Sequence, residues 1–294
     1  MTAQRPAESG LRMLIPWDDD TLLDDLLAFA RKMGGSNSHI MLLPAGANGI
    51  ESGVSRRASN TVPFEIVQVS RDEPMAAISA VAIAAIAAQR AADVIIMATN
   101  CHPGGKLDCS CLAAQLALDS PIPVMLLRWN MAARASFPSS ITRLLILLDG
   151  SSRAIQSLPF ATRLARRLQV AVHFVMVIDP AQVLPPAFAR DPEAEDLIAG
   201  LREDAHCALK RAEHLLESHG VAVSSSLLYG PVIASIEETI QPGDLVMMTT
   251  QGRGSAPHSR LGSVAAQMIA DVLDPLVIMR GTPLSEFVVQ GYLA

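Results

Sequence analysis

The chain repeats itself, and a sequence that carries one order of elements twice is built to fold as two copies of a single unit. Near the start stands Arg12-Met-Leu-Ile-Pro-Trp-Asp18, and further on comes Arg143-Leu-Leu-Ile-Leu-Leu-Asp149. Each is a short apolar run ending in Asp, the pattern of a buried strand that runs into a loop. The match returns later in each half. Asp93-Val-Ile-Ile-Met-Ala-Thr99 corresponds to Asp244-Leu-Val-Met-Met-Thr-Thr250, Ala113-Ala-Gln115 to Ala265-Ala-Gln267, and Pro123-Val-Met-Leu-Leu-Arg128 to Pro275-Leu-Val-Ile-Met-Arg280. The order is the same in both halves. Two domains follow, residues 1–130 and 141–294, with the boundary in the polar stretch 131–140.

With 294 residues the chain has room for two cores of ordinary size. Half of it is hydrophobic but only 4% aromatic, so those cores must be aliphatic, which suits buried parallel strands under Ala-rich helices. A net charge of −6 leaves no broad basic face and argues against nucleic acid as a partner. Four cysteines do not make a disulfide framework. Residues 1–11 have no apolar signal-like core, and the expected location is the cytoplasm. The most membrane-like stretch, Met75 to Ala88, is shorter than the ~20 apolar residues a bilayer span needs, and reads as a buried helix.

In the second copy, strands are expected at Leu144–Leu148, Val170–Ile178, Val221–Leu228, Asp244–Thr249 and Leu276–Met279. Between them come a helix over Ser152–Leu168 and a Pro-rich loop. A long charged helix over about Pro192–Ser218 is closed by Gly220, and shorter helices follow at Val232–Ile240 and Gly262–Val272. In the first copy, strands are expected at Met13–Trp17, Ile40–Leu43, Phe64–Val69, Val94–Ala98 and Val124–Leu127, with a loop over Ala45–Val62. Strands separated by helices imply an α/β fold, each copy a parallel sheet covered on both faces.

The segment with most chemistry runs from Thr249 through Gly252, Gly254 and Ser255 to Gly262, Ser263 and Val264. It joins a buried strand to a helix. In open parallel sheets ligands collect at the carboxyl ends of strands, where a helix N-terminus offers unpaired N–H groups and partial positive charge to phosphate. Glycines let the backbone approach the anion, and Ser263 adds a hydroxyl. Gly- and Ser-rich stretches also occur in plain loops, so a loop that binds nothing is the rival reading.

This segment resembles the signature of the universal stress protein family: Gly252, then Gly262-Ser263 opening the last helix, then a Pro-led strand. Leu148-Asp149-Gly150-Ser151, Val177-Ile178-Asp179 and Gly230-Pro231 resemble the family's earlier turns, and the likeness covers most of residues 142–281. It implies two tandem universal-stress-type domains, each a five-stranded parallel sheet sandwiched by helices. It implies ATP, with or without Mg2+, bound with Asp149 on the ribose side and the Val177 backbone at the adenine. Gly252, Gly254, Ser255, Gly262, Ser263 and the Val264 amide would line the phosphates. One departure is that many relatives carry Gly where Ser255 stands.

The first half resembles the family in fold alone. Aligning the copies puts Cys101 at Gly252, Pro103 at Gly254, Ser110 at Gly262 and Cys111 at Ser263, and Asp18 leads into Asp19-Asp20. Side chains at both critical glycines and extra negative charge predict no ATP there. Cys101, His102, Cys109 and Cys111 read first as small residues filling a disused loop, with a soft-metal site and an oxidisable thiol as rivals. His258 could touch a γ-phosphate or be solvated. His206 and His214 are two turns apart on the charged helix, too far for one metal.

The expected function is a non-catalytic, ATP-binding stress or signalling module, read by a protein partner that the sequence does not identify. The alternatives are a slow ATP hydrolase, with His258 as its base, and an interaction protein with no nucleotide. No catalytic residues and no metal ligands are assigned. The tandem copies are expected to pair internally as a pseudo-dimer, with Val124–Leu127 antiparallel to Leu276–Met279, and a homodimer of whole chains is a further possibility.

Overall fold

The computed structural model describes residues 10–17, 22–44, 64–67, 78–99, 112–128, 137–138, 140–155, 157–184, 192–250, 262–272 and 274–280. The chain divides into two compact units, Met1–Ser140 with Pro275–Arg280, and Ile141–Asp274 with Gly281–Ala294.

In the first unit the described elements run β1 (Arg12–Trp17), α1 (Leu23–Gly34), β2 (His39–Pro44), β3 (Glu65–Ile66), α2 (Ala80–Gln89), β4 (Val94–Thr99), α3 (Leu112–Asp119) and β5 (Val124–Arg128). These strands stand in the order β3-β2-β1-β4-β5, every neighbouring pair parallel. The central strands are almost wholly buried, as continuous apolar runs such as Val94-Ile-Ile-Met demand when both faces are covered. Helix α1 buries Leu23, Leu26, Leu27, Ala30 and Met33, a helical stripe, against β1, β2 and β4. The apolar stretch expected as a buried helix over Met75–Ala88 is helical over Ala80–Gln89 and starts where the Ser79 Oγ accepts the Ala82 amide at 3.2 Å. It buries one face (Ala80, Ile83, Ala84, Ala87), whereas Val81 is 64% exposed. The third strand is a ladder of two residues, extended by a bond from the Val67 amide to the Leu42 carbonyl; positions 68 and 69 lie outside the described residues.

The second unit runs β6 (Arg143–Leu147), α4 (Ser152–Ile155), α5 (Leu158–Leu168), β7 (Ala171–Ile178), α6 (Pro180–Val183), α7 (Pro192–Glu217), β8 (Val223–Tyr229), α8 (Val232–Glu237), β9 (Asp244–Thr249) and α9 (Ser263–Asp271). Its strand order is β8-β7-β6-β9, again all parallel. Helix α5 packs on β6 and α7, α7 on β7 and β8, and α8 on β7, β8 and α9. Every residue of β9 is buried, whereas Ser-rich β8, at the end of the order, is nowhere fully buried.

The single helix expected over Ser152–Leu168 is two. Pro159 has no N–H to offer the Ile155 carbonyl, and its ring crowds that carbonyl. The first segment instead closes on Ser157, whose Oγ and amide both donate to the Ala154 carbonyl at 2.7 and 3.2 Å. Part of the Pro-rich loop is also helical, because the Asp179 carboxylate caps α6 by accepting the Ala181 amide at 3.0 Å.

Strand β8 begins two residues later than its apolar pattern suggests. Val221 is engaged in ending α7: its amide returns to the Leu216 carbonyl (3.2 Å) and that of Gly220 to Glu217 (2.9 Å), with Gly220 at φ +75°. This is the helix stop expected of Gly220. The same closure recurs after α2, with Ala91 at φ +49°, and after α5, with Gln169 at φ +55°.

The last strand, β10 (Leu276–Met279), falls in the first compact unit and pairs antiparallel with β5: Leu276 opposite Leu126, Val277 opposite Met125 and Ile278 opposite Val124. That is the strand pairing expected from the family resemblance.

Candidate functional site

Three of the second unit's segments converge at the carboxyl end of its sheet. Asp149 follows β6 in a turn made by Gly150 at φ +76°, and its Oδ1 accepts the Ser151 amide at 3.0 Å. Ser151 in turn caps α4, its Oγ accepting the Ala154 amide at 3.2 Å. Val177, half-buried, is the last residue but one of β7 and lies opposite Leu228. After β9 comes Thr250, 1% exposed, whose carbonyl accepts the Gly262 amide at 2.8 Å. That bond sets the start of α9. Gly262 is its N-cap, at φ −67° and ψ 151°, and supplies no side-chain cap.

The strand registers put these residues in one row. Leu147 pairs with Val175 and Ile146 with Met247. Counted on along each strand, Asp149 stands level with Val177 on one side and Thr250 on the other. Adjacent strands lie ~4.8 Å apart, so the row is roughly 10 Å wide. The chain enters at β6, moves outward to β7 and β8, then reverses to β9 on the other side of β6. Such a reversal leaves a crevice between the two oppositely directed connections, the place where open α/β sheets take ligands.

Each part has a distinct chemical capacity. The Asp149 carboxylate can accept hydrogen bonds from hydroxyl groups. The first amides of α9, those of Ser263 and Val264, have no partner within the helix and carry the positive end of its dipole. Ser263 is exposed and Val264 half-buried. The Gly262 amide is held by Thr250, so this glycine contributes an open backbone without a side chain, and the donors are its two successors. Gly252, Gly254 and Ser255 lie outside the described residues, as do His258 and the first-half group Asp18, Cys101, His102, Cys109, Ser110 and Cys111. Thr250 was missed as a site residue in the sequence, although it closes the repeated Asp244–Thr250 segment.

The first unit differs at the matching edge. Trp17, 8% exposed, stands where the second has Leu148, and its strand neighbour in register is Pro44. A cleft of about 510 Å³ lined by Leu184, Ala194, Glu195, Asp196, Ile198, Ala199 and Arg202 lies beside α7 in the second unit. Among the described residues its one cation, Arg202, already donates to the Tyr229 hydroxyl at 2.9 Å, and the carboxylates of Glu195 and Asp196 line it too, so it suits an anion less well than the crevice between β6 and β9.

The amino ends of the same strands are locked by charge. The Arg143 guanidinium grips the fully buried Asp244 through Nε (2.8 Å) and Nη2 (2.5 Å), and Nη2 also donates to the Thr239 carbonyl (3.1 Å). The bond to Asp244 holds the arginine above its ordinary pKa. Nearby, burial first and then the Asp244 charge push Asp274 upward, and burial followed by the Arg143 charge lowers His173. Among the described residues no helix is long and apolar enough to cross a membrane, and no group of three or more His, Cys, Asp and Glu could hold a metal ion.

Residues 140–280 match the model of the universal stress protein family. A universal stress protein of Methanocaldococcus jannaschii is 24% identical over 140 residues, 47% of this chain and 81% of its own length. Among solved structures, a functionally unknown protein of Pseudomonas aeruginosa PAO1 superposes with a TM-score of 0.60 over 97% of both chains at 15% identity. A universal stress protein of Archaeoglobus fulgidus does so with a TM-score of 0.57 over 94% of this chain and 98% of its own, at 16% identity. At such identities the two structures speak for the fold alone, a mostly parallel sheet with helices. Through residues 140–280 the chain is thus similar to the universal stress protein family.

Proposed function

We propose that the second unit binds an adenine nucleotide, ATP with or without Mg2+, in the crevice between β6 and β9. The chain then acts as a stress or signalling module whose occupied and empty surfaces differ for a protein partner, without turning the nucleotide over. The observation that carries this reading is the single row of Val177, Asp149 and Thr250 at the point where the strand order reverses, with the start of α9 tied to that row by the bond from Gly262 to Thr250. Asp149 would take the ribose hydroxyls and the Val177 backbone the adenine edge. The Ser263 and Val264 amides and the Ser263 hydroxyl would take phosphate oxygens, with Gly252, Gly254 and Ser255 completing the enclosure.

The test is mass spectrometry of small molecules released on denaturing the purified protein, paired with calorimetric titration of ligand-free protein with ATP. Released ATP or ADP, or saturable binding at one site per chain, is the expected result. A ligand-free protein that also ignores millimolar ATP would refute the reading. Prolonged incubation with detection of ADP tests the non-catalytic part, and steady turnover would overturn it.

A further inference from the structure

Strand β8 stands last in the strand order, and among the described residues no strand pairs with its outer edge. The backbone bonds to β7 fix which groups face outward. The Val172 amide donates to the Ala222 carbonyl at 2.9 Å, and the Gly230 amide to the Ile178 carbonyl at 3.1 Å. Alternate residues of a strand face its neighbour, so Ser224, Ser226 and Leu228 turn their backbone groups to β7. Val223, Ser225, Leu227 and Tyr229 turn theirs to the open edge. Natural edges are usually blunted by brevity, charge, proline or a bulge. The outermost strand of the first unit, β3, carries Glu65, held by His39 Nε2 and Arg90 Nη1 at 2.8 Å each. Strand β8 has none of these devices: it is seven residues long, unbroken in its ladder with β7, and without charge or proline.

We propose that the β8 edge pairs antiparallel with the β8 edge of a second copy of this chain, about a two-fold axis at Ser226. That register sets Ser225 opposite Leu227 and Val223 opposite Tyr229 of the other copy, so every outward amide and carbonyl finds a partner. The intervening residues meet as close, non-bonded pairs, and the small side chains of Ser224 and Ser226 leave room for them. Charge agrees with this register. Arg202 on α7 donates to the Tyr229 hydroxyl at 2.9 Å, whereas Glu213 bonds the Ser225 side chain and Glu217 lies one turn further along the helix. Antiparallel pairing therefore brings each Arg202 towards the Glu217 end of the other copy's α7, where Lys210 is already engaged by Glu213 at 2.7 Å. Seven residues a side is short of the ~20–30 of a standard interface, so the association is reversible and α7 contributes to it. The inference is independent of the nucleotide reading.

Sedimentation velocity of the full chain at roughly 10–500 μM tests it, with Ser226→Lys and Ser226→Glu as variants and circular dichroism to confirm their fold. Ser226 is half-buried, so a longer charged side chain there can still reach water. The parent is expected to dimerise as concentration rises. Each variant sets like charges opposite each other at the axis and should weaken the dimer by about fivefold or more, and an equimolar mixture of the two should restore it. A parent that stays monomeric overturns the proposal and leaves the edge to an extended segment of another protein. Variants that dimerise like the parent place the contact on another face and overturn it too, as does a mixture of folded variants that stays monomeric. Ser226→Cys gives a second reading that does not depend on charge. A disulfide joining position 226 of two copies, identified by mass spectrometry after mild oxidation, is expected, and its absence in a dimerising protein refutes the register.

Discussion

Replacing Gly262 by Val tests the nucleotide reading at the position where it is most exposed. The glycine sits at φ −67° and ψ 151°, extended backbone that a β-branched residue adopts without strain. Its amide can still reach the Thr250 carbonyl, so α9 should form. The loss of a favoured N-cap residue costs about 0.5–1 kcal/mol, which lowers Tm by roughly 1–4 °C. Ligand binding should suffer far more. The added side chain stands immediately before the Ser263 and Val264 amides and keeps a phosphate from closing on them. Each charge-assisted N–H contact is worth about 1.5–3 kcal/mol. Losing two removes at least ~3 kcal/mol, or upwards of a hundredfold in affinity at 1.4 kcal/mol per tenfold. Calorimetric titration with ATP reads the affinity, circular dichroism confirms the fold, and Ser110→Val supplies the matched change in the first half. A folded Gly262→Val protein that binds like the parent would refute the placement, as would loss of binding in Ser110→Val.

Three other expectations concern stability. Arg143→Met strands the Asp244 carboxylate, whose side chain is 1% exposed, and should lower unfolding free energy in urea by about 3–5 kcal/mol, whereas Arg143→Met with Asp244→Leu should recover most of it; a single variant near parental stability would show that the pair is not holding the strand ends. Asp274 has its pKa raised above 3.8, so it adds stability below that value and loses it as pH rises through the folded-state pKa. Asp274→Asn should therefore be more stable than the parent at neutral pH and no more stable at about pH 3, and urea midpoints that differ equally at both pH values would contradict this. Gly220→Ala should destabilise by about 1 kcal/mol and Gln169→Gly should stabilise by a similar amount, because both residues occupy the left-handed region; thermal scans that move in the reverse directions would count against it.

Repetition and apolar runs made the architecture legible. Asp244–Thr249 and Leu276–Met279 were bounded to the residue, because a strand buried on both faces needs a continuous apolar run and stops where polarity returns. Errors fell where backbone chemistry decided the outcome. Pro159 divided a stripe that hydrophobic spacing alone reads as unbroken, and Val221, apolar and next to a strand, went to the helix closure. The fate of the last strand could not be read from periodicity, since the same four apolar residues suit a ladder with any exposed edge. The anticipated pairing with β5 came from the resemblance, not from the residues. At the candidate site the sequence located the glycines and Asp149. It could not reveal that Gly262's own amide is engaged, because that depends on where the Thr250 carbonyl points.

The arginine at the head of each copy has a meaning for how the two copies can diverge. In the first, the Arg12 guanidinium holds the Arg90 carbonyl at 2.9 and 3.1 Å while its amide donates to Asp93; in the second, Arg143 holds the Thr239 carbonyl and Asp244. Both arginines fasten the first strand of a copy to the end of the helix that precedes its fourth strand. Cys101 and Pro103 stand in the first copy where the second has glycines, yet its arginine and aspartate persist. In both units the amino rim of the sheet thus carries the fastening. Substitutions at that rim therefore weaken the hold of a unit's first strand on the rest of its sheet, whatever the opposite rim carries.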